Sequence, residues 1–97
     1  MATDTPMETY STMAVHPGEF LAEELEARDL TQRAFATAIA RPPQVVNDIV
    51  RGRKGITADT ALDFEVALPE VSAEYWLGLQ TEYDLTLARN RRALAVR

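Results

Sequence analysis

The sequence predicts an all-α domain of five helices and no strands. Apolar residues recur at intervals of three and four along most of the chain, the periodicity of amphipathic helices. Proline and glycine interrupt this pattern at several points, and they separate short periodic segments with short connections. With 97 residues, the chain is long enough for one small domain with a modest core.

The first helix is predicted to follow an unstructured beginning. Residues 1–14 are polar, rich in small residues and without periodicity, so we expect a disordered tail. The segment His16-Pro17-Gly18-Glu19 opens the helix, with Pro17 near the first position, where a missing N–H is tolerated. Glu24 should pair with Arg28 one turn later. The apolar face of this helix consists of Phe20, Leu21 and Leu25.

Residues 31–52 predict two short helices joined by a tight corner. Thr31 is a suitable N-cap, and Pro42 and Pro43 should end the first helix because neither has an N–H. Pro43 also suits the first position of the second helix, and Gly52 suits its end. The inward faces of the two helices are expected to carry Phe35, Ala36 and Ile39, and Val46, Ile49 and Val50.

Two further helices are predicted in the second half of the chain. Thr57 should cap a fourth helix with Ala61, Phe64 and Leu68 inside, ending at Pro69, although Glu65 intrudes on this face without explanation. Ser72 should cap a fifth helix, and the basic end from Arg89 to Arg97 is expected to fray. The apolar face of the fifth helix consists of Trp76, Leu79, Tyr83 and Leu87.

The layout of residues 31–52 is that of a helix-turn-helix whose second helix reads the major groove of DNA. Gln44 is the first candidate for a base contact, because its amide can pair with adenine N6 and N7. Val45 could touch a thymine methyl group, and Asp48 could accept from cytosine N4 or repel wrong sequences. Arg51 could reach guanine or a phosphate. Phosphate contacts are expected from Gln32, Arg33, Asn47, Arg53, Lys54 and Thr57.

The charge distribution favours DNA binding more than the net charge does. The net charge of −5 argues against a simple nucleic-acid binder. From Arg41 to Lys54, however, four basic residues stand against the single carboxylate of Asp48. We therefore expect a basic patch at the second helix of the pair within an acidic body.

Composition argues against several other functions. The chain has no cysteine and one histidine, so a structural zinc site is excluded, and we expect no metal and no cofactor. No serine lies near a base in the predicted fold, and His16 is expected to be a cap or packing residue, so an enzyme is not predicted. Without an apolar run of about 20 residues or a signal peptide, we expect a cytoplasmic protein with no membrane contact.

From His16 to about Arg89, the order of landmarks resembles the HigA-type antitoxins, a branch of the Xre-like helix-turn-helix regulators. The matching segments are His16-Pro17-Gly18-Glu19, Leu30-Thr31-Gln32, Pro42-Pro43, Asn47, Ile49-Val50-Arg51-Gly52, Gly55-Ile56-Thr57, Asp59-Thr60-Ala61-Leu62, Tyr75-Trp76-Leu77, Leu79-Gln80 and Tyr83-Asp84-Leu85. The departures are Ala40 and Pro69 in place of glycine, Val45 in place of a polar residue, and Asp63-Phe64-Glu65-Val66 in place of arginine and small residues.

The resemblance implies a compact five-helix domain of the lambda-repressor-like type. It also implies a homodimer that binds a palindromic operator and represses its own operon. The implied partner is a small basic toxin, a RelE-like, ribosome-dependent mRNA endonuclease that the antitoxin neutralises. We accordingly divide the chain into a tail at 1–14, a DNA-binding domain at 15–90 and a basic C-terminal end at 91–97.

The surfaces for protein partners are less determined by the sequence. Tyr75 and Tyr83 on the fifth helix are candidates for the dimer interface, whereas Trp76 is better explained as a core residue. The toxin could dock on the tail or on the acidic first helix, through Glu19, Glu23 and Glu26. Two alternatives stay open, namely a stand-alone transcriptional regulator without a toxin and a helical protein-interaction module that does not bind DNA.

Overall fold

Five helices account for all the regular structure in residues 13–96, which are the residues that the computed structural model describes. They are α1 (Pro17–Ala27), α2 (Gln32–Ala38), α3 (Pro43–Val50), α4 (Ala58–Ala67) and α5 (Ala73–Val96). The predicted all-α fold is confirmed. The prediction of a disordered tail lies almost entirely outside the described residues.

The predicted helix starts are confirmed by their caps. His16 precedes α1, and its Nδ1 accepts a hydrogen bond from the backbone N–H of Gly18 at 2.9 Å. The hydroxyls of the other three capping residues accept from backbone N–H groups in the first turn of α2, α4 and α5. These caps are Thr31, Thr57 and Ser72.

The core is centred on three aromatic rings. Trp76 of α5 is fully buried and meets Phe64 of α4 edge-to-face, with ring centroids 5.1 Å apart. Phe64 in turn meets Phe35 of α2 at the same distance. The interpretation of Trp76 as a core residue is therefore confirmed. Aliphatic side chains of all five helices and their connections complete the core, chiefly Leu21, Leu25, Val46, Ile49, Ile56 and Leu68.

Glu65 has a structural role that the sequence did not reveal. Its Oε2 accepts a hydrogen bond from the backbone N–H of Ala73, at the first position of α5, at 3.1 Å. A carboxylate at a helix start also interacts favourably with the helix dipole. The residue that intrudes on the apolar face of α4 therefore joins α4 to α5.

Arg28 links α1 to the turn after α4. It pairs with Glu24 at 2.8 Å, as predicted, and also with Glu70 at 2.8 Å. Both pairs are partly exposed, so each stabilises the fold only slightly. The pair with Glu70 joins the end of α1 to the segment that precedes α5.

Two sequence predictions about helix ends were wrong. Helix α2 ends at Ala38 instead of at the prolines, and Ala40 turns the chain with a left-handed φ of 56°. Pro43 begins α3, as predicted, and Gly52 follows its end with φ 77°. Helix α5 continues to Val96 where fraying was expected from Arg89.

Among residues 13–96, no helix has the length and apolar character needed to cross a membrane.

Candidate nucleic-acid interface

A close crossing of two helices fixes the position of α3. Gly18, in the first turn of α1, lies so near α3 that a Cβ there would come within 1.8 Å of the carbonyl oxygen of Ile49. Glycine in a helix costs about 1 kcal/mol relative to alanine. Here it allows the backbones of α1 and α3 to meet directly, so α1 supports α3 from behind.

Helix α3 has a buried and an exposed face, as predicted. Val46 and Ile49 are fully buried against the core, and Val50 is partly buried beside them. Gln44 and Arg51 are exposed on the other side. The side chains chosen as base contacts at the two ends of α3 are therefore exposed to solvent.

Three of the predicted phosphate contacts form one hydrogen-bonded chain across α2, α3 and the loop that follows. Asn47 Nδ2 donates to Gln32 Oε1 at 3.2 Å, which joins the start of α2 to the middle of α3. Arg53 Nη2 donates to Asn47 Oδ1 at 3.1 Å. The sequence placed these residues on one surface, and their side chains do lie together.

Asp48 lies in the middle of this surface and binds two of the candidate DNA contacts. Its Oδ1 accepts from Gln44 Nε2 at 2.8 Å and from Arg53 Nε and Nη2 at 3.2 and 3.1 Å. The hydrogen bond from Gln44, followed by that from Arg53, lowers the pKa of the Asp48 carboxyl below its ordinary value. The carboxylate is therefore charged at neutral pH.

Beside α3 is a groove with a volume of about 390 Å³. Val45 lines it and is half-buried against the core, although the sequence made this residue a candidate for contact with a thymine methyl group. Gln80 of α5 also lines the groove and joins α5 to the loop before α4, because its Oε1 accepts a hydrogen bond from the backbone N–H of Ile56 at 2.8 Å. The hydroxyl of Thr57 is engaged in capping α4, so any phosphate contact there would have to share this hydroxyl or use the backbone. The groove also contacts Arg41, Lys54 and Gly55.

The basic patch is smaller than the sequence suggested. Arg41 forms a salt bridge with Asp63 of α4 at 2.6 Å, and Arg53 forms one with Asp48 at 3.1 Å. Asp63 belongs to one of the departures from the antitoxin pattern, and the structure explains its consequence, since it neutralises an arginine at the groove. The basic side chains without an ion pair within residues 13–96 near this surface are Arg33, Arg51 and Lys54.

The candidate partner surfaces lie on other parts of the molecule. The three glutamates on α1 proposed for toxin contact are exposed, namely Glu19, Glu23 and Glu26. Tyr75 is half exposed, with its ring 5.4 Å from that of Phe20. Tyr83 is half-buried and meets the ring of His16 edge-to-face at 4.8 Å, so it also supports the cap of α1. The assigned roles of these residues stay predictions.

Sequence reasoning missed the roles of three residues that shape this surface. Gly18 was detectable, because glycine inside a predicted helix indicates close backbone approach. Asp63 was noted as a departure, but its pairing with Arg41 across 22 positions was not predictable from spacing. The hydrogen bond from Gln80 to the loop before α4 likewise has no local signal, since the two partners are 24 residues apart.

Comparison with known proteins assigns this architecture to a family, although no family model matches the chain. Virulence-associated protein I of Dichelobacter nodosus is 47% identical over 76 residues, covering 77% of this chain and 69% of that protein. Antitoxin HigA of Pseudomonas aeruginosa, solved with the higBA promoter, superposes with a TM-score of 0.79 at 36% identity, covering 88% of this chain and 92% of that one. An addiction module antidote protein of the HigA family from Coxiella burnetii superposes with a TM-score of 0.79 at 37% identity, covering 86% and 90% of the two chains. The chain therefore belongs to the HigA-type antitoxin family of helix-turn-helix proteins.

Proposed function

We propose that this protein binds a palindromic operator as a homodimer, with α3 of each subunit in the major groove, and thereby represses its own operon. The observation that carries the proposal is the orientation of α3, whose buried Val46 and Ile49 leave Gln44 and Arg51 facing outward. The HigA antitoxin of Pseudomonas aeruginosa solved with its promoter supports it. We assign this activity to residues 15–90.

Within this proposal, the residues divide into base contacts and phosphate contacts. Gln44, at the second position of α3, lies at the helix end that enters the groove in this class of proteins. Arg33, Lys54 and Arg53 lie in the elements before and after α3, where the sugar-phosphate backbones on either side of the groove would pass. Helix α2 also begins near this surface, and its first-turn N–H groups favour an anion.

Two substitutions test the division. Gln44→Ala should cost about 1–3 kcal/mol on the operator and little on a scrambled duplex, because it removes a base contact. Arg53→Ala should weaken binding to both duplexes and reduce the salt dependence, because it removes a phosphate contact. Titration of each variant against the promoter upstream of this gene and a scrambled duplex, at two salt concentrations, measures both effects. An equal loss on both duplexes for Gln44→Ala would exclude it as a base contact.

We propose a homodimer because of the small DNA surface that one domain can bury. One small domain buries little DNA surface, so tight binding requires two copies on half-sites about 34 Å apart. We place Tyr75 and Tyr83 at the subunit contact because both lie on α5 and retain exposed surface. Light scattering should give twice the monomer mass, and Tyr75→Ala should shift the protein toward monomer. A monomeric wild type at concentrations that saturate the operator would contradict this part of the proposal.

We further propose that the protein neutralises a basic RelE-like mRNA endonuclease through the acidic face of α1. Glu19, Glu23 and Glu26 are exposed and form no ion pair within the described residues, so they can pair with a basic partner. Replacing the three with glutamine should weaken binding of the toxin encoded beside this gene, whereas deletion of residues 1–14 should not. The reverse result would place the contact on the tail. Absence of a small basic protein in the neighbouring reading frame would favour a stand-alone regulator.

A further inference from the structure

The arrangement around Asp48 has a consequence for how this surface selects DNA. Three N–H groups, one from Gln44 and two from Arg53, converge on a single carboxylate oxygen, Oδ1. The second oxygen, Oδ2, accepts no hydrogen bond from residues 13–96, and the side chain is 26% exposed. The proposed reading surface therefore carries a negative charge at its centre.

The carboxylate is not needed to hold the loop after α3. The backbone carbonyl oxygen of Asp48 already accepts from the backbone N–H groups of Arg53 at 2.8 Å and Lys54 at 3.2 Å. Gly52 completes the turn with its left-handed φ. The main chain thus fixes the loop, and the side chain of Asp48 acts on neighbouring side chains.

Most of the N–H groups of the Arg53 guanidinium already donate hydrogen bonds within the protein. Its bonds to Asp48 and Asn47 use the hydrogens on Nε and Nη2, which leaves those on Nη1. A phosphate that approaches Arg53 must therefore share it with Asp48 and must also approach the charge of Asp48. Both effects weaken the sequence-independent attraction that dominates binding to arbitrary DNA.

We propose that Asp48 is a specificity-determining residue, because its carboxylate competes with DNA phosphate for Arg53 while its free oxygen requires a base-edge amine in the operator. This inference rests on the proposed function. In the major groove, cytosine N4 is the donor that a carboxylate typically accepts from. Where a guanine or thymine edge takes this position, the carboxylate faces only acceptors, which disfavours wrong sequences. Binding to the operator is weakened less, because the amine of the operator base compensates for the charge of Asp48.

The test compares Asp48→Asn with a control that removes the same charge elsewhere. Asparagine retains the shape of aspartate, removes the charge and replaces one acceptor oxygen with an amide donor, so Asp48→Ala is measured beside it. Glu82→Gln on α5 is the control, since Glu82 is exposed and forms no ion pair or hydrogen bond within the described residues. Affinities are measured by fluorescence anisotropy for the promoter upstream of this gene and for a scrambled duplex of about 30 bp, three helical turns.

Asp48→Asn should tighten binding to the scrambled duplex by about threefold to tenfold at low salt. Because Arg53 would no longer share its charge with Asp48, its phosphate contact should strengthen, and the dependence of log K on log salt should steepen by at most about 0.9. The promoter should gain less, so the ratio of the two affinities should fall. Asp48→Ala should show the same loss of discrimination. In an Arg53→Ala background, Asp48→Asn should no longer steepen the salt dependence through Arg53, and only the repulsion between Asp48 and phosphate should be relieved.

Two results would overturn the inference while leaving the proposed function intact. In the first, the wild type prefers the promoter, but Asp48→Asn changes the affinity for both duplexes no more than Glu82→Gln does. The other is equal weakening on both duplexes for a variant with unchanged thermal unfolding, which would make Asp48 a supporting residue. A wild type that shows no preference for the promoter would instead contradict the proposed function, and this inference with it.

Discussion

Gly18→Ala tests whether the contact between α1 and α3 holds the candidate DNA-reading helix in place. A Cβ at this position would lie 1.8 Å from the carbonyl oxygen of Ile49, 2.7 Å from its carbonyl carbon and 3.0 Å from the Cα of Val50. All three are backbone atoms of α3, so no side-chain rotation can relieve the clash. The two helices would have to separate by more than about 1 Å within a close-packed interior.

The expected magnitude follows from two opposing effects. Alanine favours the helix over glycine by at most about 1 kcal/mol. Overpacking of a well-packed contact typically costs about 1–3 kcal/mol and sometimes more, and separation of α1 from α3 also loosens Leu21 and Ile49, both fully buried. The clash exceeds the gain in helix preference, so we expect a net loss of about 2 kcal/mol. In a domain of this size, that lowers the Tm by roughly 8–16 °C.

Gly78→Ala is the matched control, because it makes the same substitution inside α5 with nothing within 4 Å of the new Cβ. It should stabilise the protein by about 0.5–1 kcal/mol. Circular dichroism melts of the two variants measure the difference, and operator titration below both melting temperatures measures the position of α3. A Tm for Gly18→Ala at or above that of the wild type would refute the argument.

Three further predictions concern single contacts. Glu65→Ala should cost about 1 kcal/mol in urea unfolding because the N–H of Ala73 loses its acceptor, and Glu65→Gln should recover most of it; equal losses would exclude the cap. Burial lowers the pKa of His16 in the folded protein although Glu19 opposes this, so the unfolded chain protonates first. The contribution of neutral His16 to the free energy of unfolding is therefore complete above the ordinary pKa of about 6.5 and is lost as pH falls below it. The urea midpoint of His16→Asn should accordingly vary less with pH between about pH 5 and 7 than that of the wild type. Asp63→Asn should change stability by less than about 1 kcal/mol and tighten binding to scrambled DNA at low salt only, because it releases a partly exposed arginine.

Local patterns carried most of the fold. The capping residues, the position of Pro43 and the apolar periodicity depend on interactions within one or two helical turns, so they can be read from consecutive residues. The buried positions of Trp76 and Ile49 were predictable for the same reason. Helix ends were less predictable, because Ala40 adopts a left-handed conformation that its type does not suggest and α5 extends past Arg89.

The candidate site divides in a similar way between sequence and structure. Its members on α3 could be selected from the sequence, because a helical period of about 100° per residue fixes which side chains face outward once the buried face is known. Their pairing was not predictable, since Gln44, Asp48 and Arg53 had been assigned separate roles and in fact share one carboxylate oxygen. Side-chain rotamers and the path of the following loop decide such contacts, and neither is encoded in spacing alone.

The sequence by itself therefore determined five helices, the orientation of α3 and the family to which the chain belongs. Only the tertiary structure decided how much positive charge that surface retains, because Asp63 meets Arg41 and Asp48 meets Arg53 only after α3, its loop and α4 have packed. Only the tertiary structure shows that residue 18 must be glycine because the backbone of α3 lies against it. The physical reason is the same in both cases, since charge neutralisation and steric exclusion act over a few ångströms in space, whatever the separation along the chain.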